Sequence, residues 1–276
     1  MSLEHLFPFA GDHAIQSAVV VVEWAAPGGS GHLAADHLQE MQRVAVPKLD
    51  ELGLGTSEIL NVFELQMVPG KAASHSSQVV GGFKASRPLP TGGEARSVML
   101  TRENCIIQID DYTRWAQAKN DIREYLNVLL PLVGKTVPIL HLTLQFNDVF
   151  LWKAPSHELI MTEVFKQDTT WLPPHVFSVQ NLWHSHHGYF CDQVTPCNLR
   201  QLNNVNVSRA MVNNIESVQA LVAHRASFAN PIWVKQPLSD DDSISQVLDR
   251  FHDDNKKILT DLFSDDVLRS INLLSS

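Results

Sequence analysis

The chain has 276 residues, of which 44% are hydrophobic and 18% charged, so it is long enough and apolar enough to fold around a large core. Its formal net charge of −9 makes nucleic acid an unlikely partner, and its three dispersed cysteines argue against a disulfide-stapled secreted fold. The N-terminus lacks the basic and apolar regions of a signal peptide, and no apolar stretch reaches the length of a membrane span. We therefore expect a cytoplasmic protein with no membrane association.

The first half of the sequence predicts a strand, a helix, several strands and a second helix. β-branched residues favour a strand at 14–24, and apolar residues at helical spacing over 36–52 predict a helix that Pro47 kinks or breaks. Four strand-length segments separated by turn-forming residues follow, at 59–68, 78–86, 96–101 and 104–112. A regular apolar stripe across 113–133 predicts the helix that ends this half.

The same order of elements then begins again. Residues 137–147 alternate strictly between apolar and polar side chains, which predicts a strand with one buried face. Beyond a short helical segment around 156–166, three further strands are predicted, near 176–190, 198–210 and 216–228. A long amphipathic helix over 243–263, with Ser243 as its cap, and a short helix over 265–272 complete the chain.

This order predicts an α+β fold of two β-α-β(3-4)-α halves, with antiparallel sheets each packed against a long helix. Residues 1–135 form the N-terminal half and residues 136–276 the C-terminal half, packed as one globular unit. No residue-level repeat accompanies the repeated order of elements. A single mixed α+β domain is therefore the alternative, and whether the halves share one continuous sheet is left open.

Two clusters of polar side chains are candidate binding residues. His141 and Gln145 lie on the polar face of the strand at 137–147, which either lines a pocket or forms the solvated side of an antiparallel sheet, and we favour the solvated side. His184 and His186 project from one face of a predicted strand, as a pair of metal ligands must, while His187 points away. Because the sequence offers no third ligand at a recognisable spacing, we favour a polar strand face over a metal site.

Two further charged groups have ordinary structural interpretations. The segment FHDDNKK (251–257) places His252 and Lys256 one turn apart on the last long helix, and a solvated helix face explains it. Four arginines could form a local basic face for nucleic acid against the acidic average; they are Arg87, Arg96, Arg102 and Arg114. The sequence has no nucleotide-binding motif and no hydrolase elbow, so we predict no cofactor.

Several segments, taken in their order, resemble a known family. They are FAGDHAIQSAVVVVEW at the start, GGF (81–83) leading to VMLTRENCIIQIDDYTRW, then ILHLTLQFNDVF, and FHDDNKKILTDLFSDDV near the end. Over most of its length the chain resembles a sporadically distributed family of uncharacterised bacterial proteins of about this size. The resemblance implies no activity and no catalytic residues. The patchy distribution of that family suggests, by analogy, a defence or toxin–antitoxin-like setting.

The sequence therefore favours a non-enzymatic binding or regulatory module that acts with a protein partner or by self-association. An acidic, well-packed chain with six tryptophans and no catalytic motif is typical of an interaction protein, although an enzyme with dispersed active-site residues has the same composition. The alternative is a metal-dependent hydrolase that uses His184 and His186, with Asp192 or His141 as a further group.

Overall fold

A computed structural model describes residues 3–24, 31–66, 75–90 and 92–274. These residues form ten strands: β1 (Leu6–Pro8), β2 (Ile15–Glu23), β3 (Thr56–Gln66), β4 (His75–Pro88), β5 (Glu94–Thr101), β6 (Asn104–Ile109), β7 (Ile139–Trp152), β8 (Trp183–Gln193), β9 (Leu199–Val212) and β10 (Ile215–Ile232). They also form five α-helices: α1 (Ala35–Glu51), α2 (Trp115–Val133), α3 (Met161–Val164), α4 (Ser243–Leu262) and α5 (Asp265–Ser270). Three single 3-10 turns lie at Leu3–His5, Ser156–Glu158 and Pro174–Ser178. The mixture of helix and strand confirms the α+β content, and the predicted strand end at 67–68 lies outside the described residues.

All ten strands belong to one sheet, in the order β3-β4-β5-β6-β2-β7-β10-β9-β8, with β1 beside β7, and every pairing is antiparallel. The predicted fold class of two β-α-β(3-4)-α halves, each with its own sheet and long helix, is therefore wrong. The boundary between residues 135 and 136 falls between α2 and β7. It stays a prediction.

The pairing of β2 with β7 makes the sheet continuous. Ala18 lies opposite Phe146, Val20 opposite Leu144, and Val22 opposite Leu142. These pairs are fully buried on one face, and β7 pairs with β10 along its other edge. Each of these two strands has two edges of backbone N–H and C=O groups that need hydrogen-bond partners, and the β2–β7 pairing satisfies one edge of each. The order of elements in the sequence does not reveal this pairing.

The helices α1, α2 and α4 pack on the face of the sheet that carries these buried pairs. One cluster of buried side chains joins the three helices to strands on both sides of the β2–β7 pairing. Its largest members include Trp24, Phe83, Phe146 and Phe251. A second cluster around Phe150, Phe165 and Phe263 fills the end near α3 and α5. The opposite face carries half-exposed polar and small apolar residues, as one-sided antiparallel sheets do.

The helix ends differ in two details from the sequence-based expectation. α1 continues through Pro47 to Glu51 without a break. The cap of α4 is Asp242 rather than Ser243, because the Asp242 carboxylate accepts hydrogen bonds from the backbone N–H groups of Ile244 and Ser245, at 2.8 and 3.0 Å.

A buried ion pair ties β9 to β10. Arg209 is 2% exposed and Glu216 is 7% exposed, and the two side chains are hydrogen-bonded to each other. The Arg209 guanidinium also donates to the backbone carbonyl of Ser156, at 2.7 Å.

Within the residues that the structure describes, no helix is both long enough and apolar enough to cross a membrane.

Candidate functional site

A pocket of about 710 Å³, here called the central pocket, lies on the helical face between the start of α2 and the middle of α4. Five separate parts of the chain meet there: the residues before β2, the residues after β6, one side chain of β7, one face of α4 and the residues after α5. The side chains that matter chemically are His13, Tyr112, Trp115, Asp148, His252 and Asn255. The volume lies within the range of about 300–1,000 Å³ that small-molecule sites occupy.

The local sequence explains why these groups face the pocket. In β7, Phe146 and Asp148 are two residues apart and therefore share the buried, helical face. The alternation thus places a carboxyl group where an apolar side chain is expected. In α4, His252, Asn255 and Leu259 recur at helical spacing and so line the pocket together.

Asp148 is the most unusual group of the pocket. It is 2% exposed, and its Oδ2 atom has no hydrogen-bond partner among the described residues. No Lys, Arg or His of the described chain forms an ion pair with it. Burial without a counterion disfavours the carboxylate and raises the pKa of Asp148 to about 7.

His252 and Trp115 form a stacked aromatic pair on one side of the pocket. Their ring centroids are 4.6 Å apart and their planes differ by 14°. The Trp115 indole donates a hydrogen bond to Asp249, at 3.0 Å from Nε1 to Oδ1, which fixes the orientation of the ring. Burial lowers the pKa of His252 to about 4, so its imidazole is neutral at pH 7, and its Nδ1 atom has no partner among the described residues.

Two more lining residues carry buried polar atoms that no described group satisfies. These atoms are the Nδ1 of His13 and the Oδ1 of Asn255. The His13 ring lies edge-on to Tyr112, with 5.4 Å between centroids, and burial together with the Asp148 charge raises the pKa of the Tyr112 hydroxyl. Since buried polar groups in folded proteins are almost always hydrogen-bonded, four such atoms on residues that line one cavity single it out as the candidate site.

The mouth of the pocket carries positively charged side chains, in contrast to the neutral and acidic groups of its interior. Arg114 and Lys256 line it and are exposed, and neither has an ion-pair partner among the described residues. Arg114 is also the residue at the N-terminus of α2, where no side chain caps the free backbone N–H groups and no acidic residue lies in the first turn. Asp12 is the exposed acidic residue that lines this region.

No family model matches the chain, and no curated protein matches it. Among solved structures, a di-domain aromatase/cyclase from the steffimycin biosynthetic pathway aligns over 87% of this chain and 96% of its own, at 9% sequence identity and a TM-score of 0.17. A likeness at that level supports no statement about the fold or the function of this chain.

His141 and Gln145 lie on the face of the sheet opposite the central pocket, and both are half-buried. The Nδ1 atom of His141 is 3.0 Å from the hydroxyl oxygen of Ser227 on β10. Burial, and then the Arg225 charge, lower the pKa of His141. These residues thus sit among neighbouring polar side chains of the sheet.

His184 and His186 are exposed on β8, at the edge of the sheet. Ser185 and His187 point to the other face, where the Ser185 Oγ and His187 Nε2 atoms are 3.1 Å apart. β10 and β9 separate β8 from β7, and the β8 residue in register with Gln145 is Gly188, so the His184–His186 pair lies more than about 14 Å from Gln145 at ordinary strand spacing. The structure therefore does not bring the two predicted clusters together. In the described ranges, no group of three or more His, Cys, Asp or Glu side chains is arranged to hold a metal ion.

The arginines proposed as a basic face are largely engaged elsewhere. Arg87 and Arg96 both bind Asp111, and Arg96 also binds Asp121, at 2.5 Å. The Nε atom of Arg102 donates to the backbone carbonyl of Leu33, at 3.2 Å. The interpretation of FHDDNKK as a solvated face is wrong for His252, which is buried, and correct for Lys256 and its exposed neighbours Asp253 and Lys257.

Sequence reasoning missed most of the central pocket. His13, Tyr112, Asp148 and Asn255 are not among the predicted site residues, because they lie in four segments that are far apart in the sequence. One signal was present, namely the carboxyl group of Asp148 on the apolar face of β7.

Proposed function

We propose that this chain is a non-enzymatic binding module whose central pocket holds a small polar ligand. The observation that carries the proposal is that four residues lining one cavity, His13, Asp148, His252 and Asn255, each carry a buried polar atom without a partner among the described groups. Leaving a buried donor or acceptor unpaired costs about 1–3 kcal/mol per group, and a ligand that pairs with several of them recovers that free energy on binding.

One feature supports a preformed binding site. The Trp115 ring is fixed both by its stack with His252 and by its hydrogen bond to Asp249, which pre-organises one wall of the cavity. Action through a protein partner or by self-association, and a defence or toxin–antitoxin-like setting, stay predictions from the sequence.

Equilibrium dialysis against a metabolite extract of the expression host, followed by mass spectrometry of the retained small molecules, tests the proposal. We expect the native chain to enrich one or a few compounds. A variant carrying His252→Leu and Asn255→Leu, which replaces two polar groups by apolar ones of similar size, should lose the enrichment. Ser227→Ala, on the opposite face beside His141, is the matched control and should keep it.

Thermal unfolding of each variant establishes that it is folded before dialysis. Absence of any enriched compound with the native chain contradicts the proposal. Equal enrichment by the folded double variant contradicts it as well, because binding would then not involve the central pocket.

A further inference from the structure

The central pocket is electrostatically polarised between its interior and its mouth. Asp148 and Asn255 line the interior; each residue is 2% exposed and carries one buried side-chain oxygen without a partner among the described groups, Oδ2 and Oδ1 respectively. The Asn255 amide oxygen and the ionised form of Asp148 both accept hydrogen bonds, and an N–H donor or cation on the ligand favours that ionised form. The aromatic rings of Tyr112 and Trp115 add walls that favour a flat or cationic group.

The mouth presents positive charge. Arg114 and Lys256 are exposed there without ion-pair partners among the described residues, and the uncapped N-terminus of α2 adds its partial positive charge. Arginine and free backbone N–H groups are the usual partners of phosphate and carboxylate groups. One exposed carboxylate, that of Asp12, offsets only part of this charge.

Resting on the proposed binding function, we infer that the ligand of the central pocket carries an N–H donor group at one end and an anionic group at the other. The amino, ammonium or guanidinium end pairs with Asp148 and Asn255, and the phosphate or carboxylate end lies between Arg114 and Lys256. Nucleoside monophosphates and basic amino acids share this chemistry. The pocket volume of about 710 Å³ accommodates molecules of either size.

Two matched pairs of probes test the inference by isothermal titration calorimetry on the full chain. AMP and adenosine differ by the phosphate, and L-arginine and agmatine differ by the carboxylate. We expect the anionic member of one pair to bind about tenfold or more tightly than its partner without the anion, since hydrogen bonds to a charged group contribute about 1.5–3 kcal/mol. The pair that shows the preference identifies the source of the ligand.

Variants locate each end of the ligand. Asp148→Asn should weaken binding of the preferred probe about tenfold or more, whereas Asp110→Asn, a half-buried carboxyl outside the pocket, should not. Lys256→Gln should reduce the preference for the anionic probe, whereas Lys257→Gln, at the next position and paired with Asp254, should leave it unchanged.

The inference is overturned if neither pair shows a preference at millimolar concentrations, or if Asp148→Asn and Lys256→Gln are both without effect. The dialysis experiment separates this failure from failure of the proposed function. An enriched compound that lacks either the N–H donor group or the anionic group upholds binding in the pocket and overturns the inference alone.

Discussion

The replacement Asp148→Asn should stabilise the folded chain at high pH and not at low pH. The folded state holds the Asp148 proton up to about pH 7, whereas an unfolded aspartate releases it near pH 3.8. Between these two values the folded state binds more protons, so the contribution of Asp148 to stability falls as the pH rises. Above pH 7 the buried carboxylate is ionised and destabilises the folded state, and an isosteric amide removes the buried charge.

The magnitude follows from the raised pKa. About three pH units at about 1.36 kcal/mol each give a total cost of about 4 kcal/mol at high pH. By the same relation, about 2–3 kcal/mol of this cost develops between about pH 5 and pH 8. This is a large fraction of the stability of about 5–15 kcal/mol that is typical of folded domains.

Urea denaturation of the native chain and of Asp148→Asn at both pH values measures the effect. We expect the stability difference between the two proteins to grow by about 2–3 kcal/mol from pH 5 to pH 8 in favour of the variant. Comparing the two proteins at each pH cancels the titration of groups they share, including His252. A difference that is the same at both pH values would refute the assignment of a buried, uncompensated carboxyl group.

Two other predictions concern buried charge and acid sensitivity. Arg209→Met should reduce the free energy of unfolding by about 3–5 kcal/mol, because it leaves the Glu216 carboxylate buried and unpaired. Adding Glu216→Leu should restore most of this loss. Urea denaturation measures both variants, and a double variant no more stable than the single one would contradict the prediction. Burial lowers the pKa values of His224 and His252 to about 4, so between about pH 6.5 and pH 4 the unfolded state binds more protons than the folded state. The free energy of unfolding therefore falls over this interval as the pH is lowered, by up to about 3 kcal/mol for each histidine. His252→Phe should therefore flatten the decline of the melting temperature over this interval, and an unchanged slope would count against a buried neutral imidazole.

Individual elements could be predicted from the sequence where their periodicity is strong. The helix predicted over 113–133 corresponds to α2, and the alternating segment 137–147 overlaps β7 over residues 139–147. Their patterns are local, since each needs only one apolar face and a terminating residue. How the strands join could not be predicted, because the pairing of Ala18 with Phe146 depends on two backbone edges that are far apart in the sequence.

The candidate site was harder to predict for the same reason. The sequence drew attention to His184 and His186 because they are adjacent, yet they lie exposed at the edge of the sheet. His252 was noticed and assigned to a solvated face, because the sequence does not show that α4 turns this residue towards Trp115. Asp148 could have been recognised as a carboxyl group on an apolar strand face, although its lack of a counterion becomes visible only in three dimensions.

The pairing of β2 with β7 also has a consequence for the order of events during synthesis. β2 is made early and finds β6 along one edge, but its other partner emerges only when the ribosome has passed Trp152. Contacts between such distant parts of a chain form slowly because a long loop must close first. Until then the valine-rich β2 has an unpaired edge that can pair with other chains. Chains that terminate before β7 should therefore aggregate rather than fold into a smaller sheet.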